Sequence, residues 1–112
     1  MREKEIEKAL ADGVKSLGGR AYKWTSPGND GVPDRIVILP WRPPVFVELK
    51  TEAGKLTALQ QVQIRKLRTL GQDVRVLKGI REVEGFLEEC GGGGKGWSSG
   101  RTITRNTALK RS

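Results

Sequence analysis

Along the first seventeen residues the apolar positions Ile6, Leu10, Val14 and Leu17 recur at spacings of four, four and three. This is the single stripe of an amphipathic helix from Arg2 to Leu17, which Gly18 and Gly19 end. AYKWT, residues 21–25, reads as a strand, and SPGNDGVP after it is a loop built of turn residues. Two β-branched runs follow, Asp34 to Leu39 and Val45 to Lys50, separated by PWRPP. Those prolines cannot donate to a sheet ladder, so the sequence predicts a hairpin with its prolines in the turn. Helical spacing returns from Leu56 to Leu70, with Leu59, Val62 or Gln63, Lys66, Leu67 and Leu70 as the stripe. Thr57 fits its N-cap, Gln60 completes a capping box and Gly71 is the stop. DVRVL, residues 73–77, is a short strand, and Ile80 to Cys90 is a third helix facing inward with Ile80, Val83, Phe86 or Leu87, and Cys90. The predicted order is α, β, β, β, α, β, α.

Charge is placed oddly within this pattern. Asp34 opens one strand of the hairpin, while Glu48 and Lys50 close the other, VFVELK. The IVIL and VFV runs imply a central strand buried on both faces, where unpaired charge is costly. With the turn centred near Trp41, opposed residues sum to about 82, which sets Asp34 across from Glu48 at ~5 Å. Glu48 and Lys50 share a face ~7 Å apart. Two carboxylates that close repel unless a cation lies between them. An oxygen-only pocket with open positions suits Mg²⁺.

Composition narrows the chemistry further. The 112 residues allow one small domain with a core, and two do not fit. The chain contains no histidine, which excludes imidazole bases and ligands along with Ser/His and Cys/His catalysis. The lone Cys90 cannot form an internal disulfide. A net charge of +8 and a pI of 10.1 point to a polyanionic partner. No apolar run approaches the roughly 20 residues that cross a bilayer, so the expectation is a cytoplasmic protein with no membrane partner. Residues 1–90 carry 16 basic against 13 acidic side chains and read as the folded domain. Residues 91–112, Gly-rich and free of acid, read as a flexible basic tail holding +5 of the charge.

The combination GVPD, a hydrophobic strand, a turn, FVELK and then LxxxQ on the next helix resembles the virus-type replication and repair nuclease (VRR-NUC) domain of the PD-(D/E)XK superfamily. The resemblance spans residues 3 to about 88. It implies a restriction-endonuclease-like α/β fold with an αβββαβ core, a mixed central sheet flanked by helices, and here an extra C-terminal helix. It further implies a Mg²⁺- or Mn²⁺-dependent endodeoxyribonuclease that leaves 5′-phosphate and 3′-hydroxyl ends. Asp34, Glu48 and the Leu49 carbonyl would hold the metal, Lys50 would assist the attacking water, and Gln60 would support the site. Glu7 would add an acid, reaching the metal through water. Lys23, Ser26, Arg35, Lys55 and Arg65 are the candidate DNA contacts, with Lys66, Arg68, Arg75 and Lys78 as further phosphate contacts in part. The implied partner is branched or four-way DNA bound by a homodimer, its contact drawn from the exposed remainder of helix 1, Trp41 in the hairpin turn, or Phe86 and Leu87. A non-catalytic DNA-binding module and an RNA-directed nuclease are the alternatives.

Overall fold

Ile6, Leu10 and Val14 lie fully buried along one side of α1 (Glu3–Ser16), as their spacing predicts. In the computed structural model, which describes residues 2–97 and side-chain surroundings through residue 91, that stripe packs on a four-stranded sheet. The strands are β1 (Arg20–Lys23), β2 (Arg35–Leu39), β3 (Arg42–Lys50) and β4 (Asp73–Lys78), in the spatial order β1-β2-β3-β4. β1 to β3 run antiparallel, and β4 joins β3 in parallel after α2 (Ala58–Thr69) makes the crossover that parallel strands require. The chain ends its described part in α3 (Gly79–Trp97).

Alternation along the strands divides the sheet's two faces. Val37, Leu39, Val45, Val47, Leu49 and Leu77 point to one side, where they form the main core with α1 and with Val83, Phe86 and Cys90 of α3. Phe46, Glu48, Lys50, Val74 and Val76 fall on the opposite side by the period of two, and there α2 packs against β4 through the buried Ile64. The mixed sheet flanked by helices is the predicted architecture, in the predicted order.

Three features differ from the sequence reading. Pro43 and Pro44 belong to β3, not to the turn. They are tolerated because pairing with β4 begins only at Val45↔Asp73, and the ladder to β2 is irregular between Val37 and Leu39, so few donors are missed. On α2 the expected inward stripe is only partly inward, with Leu67 half-buried but Leu59 56% and Leu70 73% exposed. Gln60 and Ile64, four residues apart, take the inner face instead. α3 runs past Cys90 to Trp97, although its glycines each weaken a helix by about 1 kcal/mol. The rest of the predicted tail, 98–112, lies outside the described residues.

Candidate functional site

The hairpin register matches the expected sum: Arg35↔Val47, Ile36↔Phe46 and Val37↔Val45. Asp34, one step before Arg35, therefore stands opposite Glu48, and both are on the face that carries Lys50. Each strand delivers its group for a local reason. Pro33, fully buried, ends the 26–33 loop and fixes the entry into β2. Gly31 in that loop has φ +95°, and a Cβ there would lie 2.6 Å from the Leu59 backbone, so only glycine lets the loop close over the start of α2.

Glu48 is 4% exposed and is the one buried charged residue of the described chain. Lys50 Nζ lies 3.7 Å from Glu48 Oε2, and Gln60 Nε2 donates to the same oxygen at 3.1 Å. Gln60 does two things at once. Its Oε1 accepts from the Thr57 backbone N–H at 2.9 Å while its own backbone N–H donates to Thr57 Oγ1 at 3.1 Å, which closes the capping box of α2. The predicted cap and the predicted site contact are the same side chain.

Burial pushes the Glu48 carboxyl up to about 7, and the charge of Asp34 adds to the rise while Lys50 opposes it. Burial likewise raises Asp34 to about 6, against the Leu49 backbone amide and the Arg35 charge, with Glu7 adding to the rise. Asp34 Oδ1 is buried with no hydrogen-bond partner among the described residues. A buried acceptor left open beside a second strained carboxylate is what a cation would relieve. The available donors are oxygens only. Among the described residues no three His, Cys, Asp or Glu side chains are grouped to hold a metal, so the carboxylate pair, with the Leu49 carbonyl, would need water to fill the remaining positions. Such a set fits a hard divalent ion and does not fit zinc.

Glu7 reaches this end of the sheet from α1, where its Oε1 takes the Arg35 guanidinium at 3.2 Å. The Arg35 side chain is 11% exposed and also donates to the Ala21 carbonyl. The structure thus sets this predicted DNA contact against Glu7 and away from solvent. Ser26 is half-buried and holds Asn29 within the loop turn, accepting from both its side chain and its backbone N–H. Lys23, Lys55, Arg65 and Lys66 are exposed. Arg68 instead donates to the Val74 carbonyl at 2.8 Å, and Arg75 is tied to Asp73 and Glu89 at the far end of the sheet. The Lys78 backbone N–H is taken by Glu82. The Glu7–Arg35 bridge is what residue-by-residue reading missed, since the two lie 28 positions apart with no shared pattern.

Fold and cluster together define an α/β domain of the restriction-endonuclease-like class, with an acid, acid, lysine set at the open end of a β-hairpin. No family model matches the chain. "Putative nuclease p44" of Acyrthosiphon pisum secondary endosymbiont phage 1 is 47% identical over 77 residues, covering 69% of this chain and 83% of that protein. A solved structure of a "VRR_NUC domain" superposes with a TM-score of 0.72 at 31% identity, over 77% of this chain and 94% of its own. A second, a "VRR_NUC domain protein", shares the fold at a TM-score of 0.65 and 20% identity, over 79% and 86%. The chain belongs to the VRR-NUC family.

Proposed function

We propose that the protein is a nuclease that hydrolyses phosphodiester bonds in DNA with Mg²⁺ or Mn²⁺ at the Asp34–Glu48–Lys50 cluster. The observation that carries this reading is a buried carboxyl and a half-buried one, both held above their ordinary range and the second with a buried, unpartnered oxygen, beside a lysine on the same face. The nuclease relative and the nuclease-family structure support the reaction class.

Asp34 and Glu48 would hold the ion, whose chemistry when bound is to polarise a phosphoryl oxygen and acidify water. Gln60 and Lys50 fix the Glu48 carboxylate from two sides, so the donor is oriented before substrate arrives. Lys50, 16% exposed at its side chain, faces the cluster as a cation that offsets charge growing on the phosphate in the transition state. Glu7, held by Arg35, supplies negative charge at the edge of the same site.

The preferred substrate is branched DNA, cut by a twofold homodimer that presents one site to each strand. Phe86 is 3% exposed and Leu87 packs on the core, so these two expected contact residues serve the monomer. The exposed side of α1 carries Lys4, Glu5, Lys8, Asp12 and Lys15 and no large apolar side chain, whereas Trp41 is 40% exposed. The contact would fall to Trp41 and to exposed apolar side chains such as Leu59 and Leu70 on α2.

Incubation with linear duplex, four-way DNA and RNA, in Mg²⁺, Mn²⁺ or EDTA, tests the reading. Metal-dependent cutting of DNA that Asp34→Ala abolishes is the expected result, and cutting that persists in EDTA would overturn it. Faster cutting of RNA than of DNA would reassign the substrate. Light scattering that gave only the 12.4 kDa monomer, with and without DNA, would remove the dimer.

A further inference from the structure

α2 packs over the β4 side of the sheet, and the β1–β2 half of the same face is left open to solvent. Cross-strand pairing orders that open surface in rows. Trp24 donates its backbone N–H to Asp34 at 2.9 Å, so these two stand beside Glu48 in the row that holds the cluster. Tyr22, Ile36 and Phe46 form the next row, and Arg20 with Ile38 the one beyond. Trp24 bridges the first two, its ring 5.3 Å from that of Phe46. Tyr22 is 53% and Ile38 39% exposed, although nothing about a sheet's stability requires an aromatic ring in water there.

Arg20 sets its guanidinium 5.9 Å from the centre of the Tyr22 ring. Beside them opens a cleft of about 380 Å³, lined by Gly19, Arg20, Tyr22, Ile38 and Pro40. A Cβ on Gly19 would collide with the Ile38 carbonyl, so glycine there keeps the loop tight against β2 at the cleft wall. β1, the edge strand RAYK, has no acid, and of its two cations Arg20 shares the Tyr22 face while Lys23 falls on the opposite one by the period of two.

We infer that this open sheet face, from Trp24 to the Arg20–Tyr22 cleft, is a stacking platform for unpaired nucleotides, and that the substrate carries a single-stranded segment next to the cut. Aromatic rings and arginine planes on a basic surface bind bases without regard to sequence. Continuity with the carboxylate row gives the strand its path. From Asp34 to Ile38 is four residues, about 13 Å at ~3.3 Å each, or roughly four nucleotides at the ~3.4 Å spacing of one strand in B-form DNA. A protruding strand of four or more nucleotides reaches the cleft, and a single overhanging nucleotide falls short.

The inference rests on the nuclease reading for what happens at the cluster, and its test is separable because it reads binding alone. Fluorescently labelled duplexes, blunt or with single-stranded tails of one to eight nucleotides, are titrated with the full chain in EDTA. The wild type binds tails of four or more about 10-fold tighter than blunt ends, which is about 1.4 kcal/mol and within the ~1–3 kcal/mol of one stacked base. Tyr22→Ala loses that advantage, Tyr22→Phe keeps most of it, and 2-aminopurine in the tail is quenched by wild type and not by Tyr22→Ala. Arg20→Gln, at an exposed position, gives a second reading that lowers the advantage severalfold. Equal affinity of wild type for blunt and tailed duplex, or a normally melting Tyr22→Ala that keeps the preference, overturns the platform. Failure of wild type to cut any DNA in Mn²⁺ would sink the nuclease reading and leave the tail preference standing.

Discussion

Glu48→Gln should make the metal-free protein more stable at pH 8 while leaving it inactive. Glu48 ionises near pH 7 in the folded chain instead of its usual 4.5. The folded state therefore holds this proton more tightly than the unfolded chain, and stability present below about pH 4.5 is lost as pH rises through 7. At ~1.4 kcal/mol per pH unit, keeping this 4%-exposed group charged costs folding about 3 kcal/mol. An amide removes that cost and its carbonyl still accepts from Gln60. The pull of Lys50 on the charge is already contained in that value, so the net gain is about 3 kcal/mol, or a rise of ~12 °C in melting temperature for a chain of this size. Circular dichroism melts in EDTA at pH 8 and pH 5 read it directly. The gain should shrink toward zero at pH 5, where the wild-type carboxyl is protonated as well. A gain of equal size at both pH values, or a loss at pH 8, would refute the view that Glu48 is a strained charge.

Asp34→Ala should abolish cleavage and leave a folded protein, and Lys50→Ala should slow it by roughly 10²–10³-fold, the usual loss for one transition-state charge contact; gel assays with melting controls decide both. Mn²⁺ affinity, followed by calorimetry, should fall as pH drops from 8 to 5, since Glu48 and Asp34 must lose protons held up to about 7 and 6 before they can bind a cation. Gln60→Ala should destabilise the protein by about 1 kcal/mol through the lost cap and also lower the cleavage rate, whereas Thr57→Ala should cost similar stability with a smaller effect on rate. Truncation after Trp97 removes Arg101, Arg105, Lys110 and Arg111 and should flatten the log–log salt dependence of duplex binding by up to about 4 units if all four charges meet phosphates.

Element order, hairpin register and the convergence of Asp34, Glu48 and Lys50 were legible because all three depend on short-range periodicity. Val37↔Val45 and Arg35↔Val47 follow from where a two-stranded turn can close, and alternation then decides the faces. The facing of α2 was not legible. Leu59, Val62 and Leu70 form as good an apolar stripe as the true inner face, where Ile64 is buried and Gln60 reaches Glu48 on the facing sheet, contacts between elements that no local pattern signals. The setting of Arg35 is hidden from the sequence for the same reason. A basic residue beside a site reads as a phosphate contact until α1, placed by its own core stripe, brings Glu7 against it. The turn at Pro40–Trp41 is shorter than PWRPP suggests because a proline-rich stretch signals a turn only where the neighbouring strand needs its donors.

Since the amide of Gln60 is held by Thr57 in the first turn of α2 while its side chain grips Glu48, the fraying of that helix end and the loosening of the carboxylate are one motion. First turns open far more often than whole domains, so Glu48 is steadied by a hydrogen bond whose lifetime is set locally and not by global unfolding. The exchange rate of one backbone proton, at Gln60, consequently reports how long the carboxylate stays aimed, and a ligand that settles on Glu48 should slow that proton's escape while leaving those in the sheet nearly unchanged.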